Sequence, residues 1–595
     1  DFRVKAHGVM DEFDIIPLLT LVGVKNIGAS GLNGDFWFDW ASSTGGSLQG
    51  SLAADNFRVS SSQYNNATKL SDLKTNYLID IGLDLGVQAW VTGLSVEWKN
   101  SIYSLADFNL GRSANNDIYI SLREANVERL LKLANRIVNF PEKLSEVLTT
   151  IAPTGSLQNI TVTKAGGVPL IDGLSFSAKV KDFNSSAWNG APGVEKLSGY
   201  LTGAALSGRF DIDAKGMSLA FPGIYENKIP TSRLLGSVAW NVYDSEVAVN
   251  SGPLTVVGDF GSGNAQLDLA IPLQNTDDTY PLMSLLIGVK DFDVKYRNQV
   301  IPAVVGESLI EWLDQSILAG NASEVGFIYY GSLLKNDSNR QVVQVELDAT
   351  GAALKYDPAW PIAENIATKV IVSNGVTRGY VKSATIYNSV LDNINVEVIP
   401  KDETIELEVS GDVDGPATDI LKLFKETSLK DILGSNADTW QSTGHYSANI
   451  NLAMPLVGGV VPNINIVGEL HDVDLEKSDA NLQFSKLGGD ISYTTQNGLS
   501  AKNIDGNFWG RKFQANIKTV DEKTLVNLQG SVEMTEVQQW LQQPVLGFAA
   551  GFAQVEGELM IASEDNGGVQ LAIRSTMKGV AIDLPEPFFK AGEET

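Results

Sequence analysis

The chain has 595 residues, with 44 Lys+Arg against 71 Asp+Glu for a formal net charge of −27, three His and no Cys. The absence of Cys excludes a disulfide framework, a thiol nucleophile, an Fe–S cluster and Cys-ligated zinc, and the acid excess without a Lys/Arg cluster argues against a nucleic-acid surface. With 43% hydrophobic and 19% charged residues the chain folds, and at roughly 100–200 residues per domain its length alone allows about three to five domains.

The longest apolar stretches, at 15–24 and 281–289, are about half of the 18 or more residues that a membrane helix needs. The chain opens at Asp1 without a basic n-region or an apolar h-region, so it reads as processed or as cut from something longer. Asn33-Gly34 gives a first expected hairpin turn, and Asn189-Gly190, Asn374-Gly375, Asn497-Gly498 and Asn566-Gly567 give others, because such dipeptides supply the positive φ of tight turns.

The strongest expected helix covers 123–139, with Val127, Leu130, Leu131, Ala134, Ile137 and Val138 on one face. Pro141 ends it, and a short second helix is expected at 142–149. Strict alternation then marks four strands in quick succession: Val238, Trp240 and Val242; Val247 and Val249; Leu254 and Val256; Leu267, Leu269 and Ile271. A helix is expected at 307–318, where Leu309, Leu313 and Ile317 keep helical spacing. Ile394, Val396 and Val398, a turn at 400–404, and Ile405, Leu407 and Val409 read as a hairpin. Helical sequence follows at 416–433, opened by Pro416. Tyr446, Ala448, Ile450 and Leu452 and then Ile464, Ile466 and Leu470 alternate again. Strands are expected at 488–495, 513–520, 525–532, 557–562 and 569–577, with a last short helix at 536–542 stopped by Pro544. The helices are expected to pack on a sheet edge or in a groove.

Reactive chemistry is sparse. Asp35 and Asp39 in GDFWFDW, and Asp472 and Asp474 in HDVDLE, are acid pairs whose strand context puts each pair on one sheet face. Two carboxylates can serve a glycosidase or a hard cation, but coincidence accounts for them in a chain with 71 acids. His7, His445 and His471 fit no HExxH-type helix, although the last two could meet in space. No nucleophile elbow, P-loop, dinucleotide fingerprint or calcium loop is present. Trp40, Trp90, Trp98, Trp188, Trp240 and Trp360 are too dispersed for a local sugar platform and read as packing residues. No metal, no cofactor and no catalytic residue is expected, and the chain is not expected to be an enzyme.

The remaining feature is the unbroken apolar alternation. No Pro/Ser-rich linker or charge run divides it, so one continuous β structure over 1–595 replaces the estimate of several domains. About 40 strands at ~4.8 Å spacing would make a mostly β, antiparallel meander roughly 190 Å long. A sheet apolar on one side must curl or be covered, and an elongated U-shaped groove could hold acyl chains. The expected liners are the alternating residues above: Val238, Trp240, Val242, Val247, Val249, Leu254, Val256, Leu267, Leu269, Ile271, Ile394, Val396, Val398, Ile405, Leu407, Val409, Ile450, Leu452, Ile464 and Ile466. The same pattern also fits a closed structural or adhesive β-rod and, through its Trp and acid residues, a polysaccharide-binding or polysaccharide-active protein.

Several segments bear a family resemblance. The stretch IPAVVGESLIEWLDQSILAGNASEVGFIYYG at 301–331 and LKYDPAWP at 354–361 resemble the YhdP branch of the AsmA-like proteins, as do PGVEKLSGYLTG at 192–203 and VAIDLPEPFFK at 580–590. The segment 415–433, with Pro416 and Leu429, is similar to a helix-and-loop unit that recurs in that family. Together these pieces run from about 190 to 590. The paired Phe588 and Phe589 depart from the last signature and weaken only that match. The resemblance implies a bridge-type lipid-transfer protein of the Gram-negative envelope, with phospholipid as its cargo. It further implies a periplasmic location, an inner-membrane anchor outside this chain, and a chain that is an internal piece of something longer.

Overall fold

The computed structural model describes residues 2–14, 27–59, 68–82, 86–98, 101–138, 142–188, 192–222, 225, 227–273, 279–301, 307–334, 337–401, 404–427, 439–456, 462–478, 481–521, 523–561 and 569–594. The expected turns at Asn189-Gly190 and Asn566-Gly567, the apolar stretch at 15–24, the middle of the 400–404 turn and the helical tail at 428–433 lie outside the described residues. By its contacts the chain divides into two compact units. One comprises Asp1–Val289, Tyr296–Val305 and Ile328–Gln341, and the other Lys290–Lys295, Gly306–Phe327 and Val342–Thr595.

Both units are mostly β, with 32 strands and a few short helices among the described residues. In the first unit antiparallel ladders join neighbours in chain order from Arg3–Phe13 to Gly261–Pro272. In the second the same meander runs from the ladder Gln344↔Ser373 to the ladder Ile561↔Val569. The expected mostly β, antiparallel architecture is thus present in each unit. The four strands expected between Val238 and Ile271 form three rungs. Glu246–Ser251 and Leu254–Gly258 both lie between Ile229–Val242 and Gly261–Pro272. They are one rung interrupted at Gly252-Pro253, where Pro253 has no N–H to give the ladder.

Helices occupy Val127–Val138, Glu142–Ile151, Glu307–Ser316, Ala417–Glu426 and Met534–Leu541. The expected start at residue 123 is too early. Glu124, Ala125 and Asn126 pair with Gln158, Leu157 and Ser156 in a ladder, and the Asn126 side chain accepts the Arg129 N–H at 3.1 Å as the cap. Likewise Ile317 opens the strand Ile317–Ser332 rather than closing a helix. Asn374-Gly375 makes its turn, with φ of 48° and 86°. Asn33-Gly34 does not turn: both residues lie inside the strand Ile27–Ala41, paired with Ala53 and Leu52.

A β-bulge recurs in strand after strand of both units. The register slips between Met10 and Phe13, Ser71 and Lys74, Val180 and Phe183, Ala349 and Ala352, Leu470 and Val473, and Ala501 and Ile504. Inside each slip sits a residue in the left-handed region: Glu12, Asp72, Asp182, Gly351, Asp472 and Asn503, with φ between 49° and 60°. The bulges line up, because the residues that follow them face one another as Phe13↔Leu32, Phe183↔Leu197, Ala352↔Ile366 and Val473↔Leu487. A bulge removes one N–H from the ladder, and in four cases a side chain on an adjacent strand takes it. Asn33 accepts Glu12 N–H at 3.0 Å, Asn184 accepts Lys196 N–H at 3.0 Å, Ser198 accepts Asp182 N–H at 3.0 Å and Asp474 accepts Lys486 N–H at 2.8 Å. Each acceptor stands two positions beyond the bulge residue of its own strand.

Bulges bend a strand and increase its twist, so a row of them creases the sheet locally. The apolar residue after the bulge falls inside the crease: Leu32 is 2% exposed, Met217 1% and Ile504 3%. Four of the buried clusters include such a residue, those around Leu32, Met217, Ile366 and Ile504. Gly216, with φ of 60°, is the bulge residue before Met217, and glycine takes that left-handed conformation at no steric cost.

Candidate functional site

Residues directly opposed in an antiparallel ladder share a sheet face, so the registers trace that face across each unit. In the first unit one row runs Ala6, Phe38, Leu48, Ile79, Ala89, Leu110, Ile120, Val162, Phe176, Gly203, Gly208, Trp240, Val249 and Leu269. No polar side chain interrupts it. A Cβ on Gly203 would meet the Phe176 ring at 2.6 Å, so this aromatic lies over a strand where only glycine fits. One residue along, the row Lys5, Asp39, Ser47, Asp80 and Gln88 belongs to the opposite, hydrated face.

The expected liners of the first unit all stand on the apolar face. Val242 opposes Val247, Val247 opposes Ile271, Val238 opposes Phe210, Leu254 opposes Ala265 and Val256 opposes Leu234, while Leu267 lies two residues from Leu269 in a regular strand. Val238, Leu254 and Val256 border the buried cluster of Ile212, Ala214, Met217 and Leu234. Trp240, Val242, Val247, Val249, Leu267 and Leu269 are half-buried, and Ile271 is exposed.

In the second unit the row is Leu347, Val370, Gly379, Val396, Val409, Leu452 and Ile464. Val398 with Leu407, Pro400 with Ile405, and Ile450 with Ile466 lie beside it on the same face. Ile394 follows the bulge residue Asn393 and is buried in the crease, so it packs as core. Its neighbours on this face stay half-buried, and Ile405 is 47% exposed. Towards the end of the chain the face encloses an apolar cavity of about 40 Å³ between Phe484, Phe508, Phe513, Leu528, Leu559 and Leu571, with Phe484 stacked on Phe508 at 4.9 Å.

The helix Ala417–Glu426 is pinned to the β-turn before Ser389–Lys401 by one buried carboxylate. Asp419, 1% exposed, accepts the Asn388 N–H at 2.8 Å, the Asn388 amide at 3.2 Å and the Ser389 hydroxyl at 2.8 Å. At the other end of the helix the Tyr387 hydroxyl donates to Glu426 at 2.8 Å, and burial, aided by that hydrogen bond to a carboxylate, pushes the phenol up to about 12. Ala417 joins the core around Val473 and Phe484. Asp419→Ala strands the buried Ser389 hydroxyl and takes away the partner of the Asn388 N–H, and is expected to cost about 1–3 kcal/mol. Urea unfolding followed in the second unit measures this, with Asp419→Asn recovering part of the loss.

The acid pairs have structural partners. Asp39 accepts from Arg3 Nε at 2.6 Å and lies 3.3 Å from Lys5, and the Arg3 hydrogen bonds hold its carboxyl down at about 2. Asp35 accepts the Ser51 N–H at 3.1 Å. Asp472 is a bulge residue outside the ladder and Asp474 caps the neighbouring bulge, so this pair does not sit side by side on one regular face as expected. His445 and His471 do meet, opposed across their ladder with rings 6.3 Å apart. His445 is bonded to Asp414 at 2.9 Å. Among the described residues no group of three or more His, Cys, Asp or Glu side chains could hold a metal ion, and no helix is long and apolar enough to cross a membrane.

The bulge row escaped the sequence reading, although its signal is present. In Asn463–Lys477 the apolar positions step by two through Ile464, Ile466 and Gly468 to Leu470, then by three to Val473, with Asp472 immediately before.

No curated protein matches this chain, and no solved structure does. The family model described as YhdP protein matches residues 5–595, which takes in the apolar rows and bulge rows of both units. The chain belongs to the YhdP protein family.

Proposed function

We propose that this chain carries phospholipid along its apolar face, as part of a bridge between the inner and outer membranes of a Gram-negative envelope. The observation that carries the reading is the apolar row that crosses each unit strand by strand while staying half-buried or exposed. Monomeric soluble proteins rarely leave so large a contiguous apolar surface uncovered. Membership of the YhdP family supports the same reading. On it, the bulge creases turn the face into the inside of a U-shaped trough. The work is done in the periplasm, and the chain is tethered to the inner membrane.

The mechanism is passive and needs no reacting group, so on this reading the protein is not an enzyme and the lipid is cargo rather than cofactor. At about 25 cal/mol per Å² of apolar surface removed from water, an acyl chain strongly prefers the trough to solvent. A lining of Val, Ile, Leu and Phe with few polar contacts gives neighbouring positions similar affinity, so the chain slides with low barriers while the headgroup stays wet. The test is organic extraction of the purified protein followed by mass spectrometry. Co-purifying phospholipid is the expected result. Protein that is lipid-free and takes up no fluorescent phospholipid from vesicles overturns the proposal.

A further inference from the structure

We infer a second binding site on the opposite, hydrated face of the second unit, built for a neutral glycan chain. It does not rest on the lipid reading, since it lies across the sheet from the apolar row. Two adjacent rows form it: Tyr380, Asn395, Ser410, Asn451 and Asn465, and beside them Glu397, Glu408 and Asn463. With Ala453 and the intervening strand segments at Gly379, Val396, Val409 and Leu452, they line a concavity of about 560 Å³. At ~4.8 Å per strand, five strands span about 19 Å, the length of a short oligosaccharide.

One row of this dish carries ion pairs, and the other, from Tyr380 to Asn465, carries no charge. Elsewhere the hydrated faces of the two units carry ion pairs, Arg209–Asp211 along one strand and Arg233–Asp213 and Lys369–Glu346 between strands. Within the dish Glu397 is neutralised by Arg378 at 3.0 Å, and Glu408 lies 3.9 Å from Lys401. Among the described residues the dish offers no unpaired cation to a phosphate and no carboxylate cluster to a metal. What the dish presents is primary amides, each with two donors and an acceptor. Asn395 and Asn451 spend amide protons on Asn393 and Asn449, while their side-chain oxygens accept no hydrogen bond among the described residues. Among the described residues the side chains of Ser410, Asn463 and Asn465 have no hydrogen-bond partner. Alternating donors and acceptors fit vicinal hydroxyls, and Tyr380, 43% exposed at one end of the row, offers a ring on which a sugar can stack.

The experiment is calorimetric titration of the intact chain with chitotetraose, cellotetraose and maltotetraose. Saturable binding of at least one is expected. Tyr380→Ala and, separately, the pair Asn451→Ala and Asn465→Ala should each weaken it about tenfold or more, while Tyr330→Ala, at an exposed tyrosine in the other unit, leaves it unchanged. All these variants should keep the far-UV spectrum and any bound lipid of the parent. Absence of binding to all three sugars overturns the site, and so does binding that both the Tyr380 and the Asn variants leave intact.

Discussion

Asp at Val396, Val409 and Leu452 together is expected to stop phospholipid transfer, by about a hundredfold or more, while the strands remain folded. These residues oppose one another on three adjacent strands and form a barrier across the apolar row. Each is half-buried, so in the empty protein the new carboxylates can reach water. An acyl chain passing over them must strip that water away, and burying an unpaired charge costs several kcal/mol. A barrier of about 2.7 kcal/mol already slows a step a hundredfold. The matched control lies one residue along each strand on the opposite face. Asn395→Asp, Ser410→Asp and Asn451→Asp add the same charge and should leave transfer at the parental rate while weakening glycan binding. Vesicle-to-vesicle transfer of a fluorescent phospholipid measures both triples, with circular dichroism as the fold control. Transfer that survives the apolar-face triple, or fails equally in both, sinks the sliding mechanism.

The sequence period explains why so much of this face could be read in advance. Wherever apolar residues step strictly by two, as from Val238 to Val242 or Ile405 to Val409, the alternation identified both the strand and the side of the sheet to which each residue belongs. The failures have specific physical causes. Residues 123–126 continue a helical-looking pattern, but their ladder with Gln158, Leu157 and Ser156 outweighs local propensity. Asn33-Gly34 carries turn chemistry, yet Asn33 uses its side chain on the Glu12 bulge, and its backbone stays in the strand. The bulges themselves interrupt the alternation by a single residue, and a reading that searches only for period two treats such a step as the end of a strand. Asp, Asn or Gly followed by one large apolar residue, at a three-residue step, is the pattern that identifies them, as in Asp182-Phe183 and Asn503-Ile504. The polar dish was invisible for a different reason: Tyr380 and Asn465 are brought into one row only by four consecutive registers.

The crease and the open limb of the face should also separate in stability. Met217→Ala in the first unit and Ile504→Ala in the second empty positions that follow a bulge and are almost fully buried. Each is expected to cost about 2–5 kcal/mol, the transfer of the lost methylenes plus the cavity that a packed crease cannot close. Ile271→Ala and Ile405→Ala remove side chains of similar size from the same apolar faces, at positions 40% and 47% exposed. Each of these should cost less than about 1 kcal/mol in the lipid-free protein, because little is buried there to lose. A chain of two units need not unfold in one step, so hydrogen exchange resolved to each unit is the suitable measurement. Equal losses at crease and limb would mean that the limb packs as core and that the face is closed, which removes the room an acyl chain needs. Loss concentrated at the crease means that the bulge row holds each unit together. The limb is then free to exchange its cover, and adding phospholipid should stabilise the parent more than the Ile271→Ala and Ile405→Ala variants.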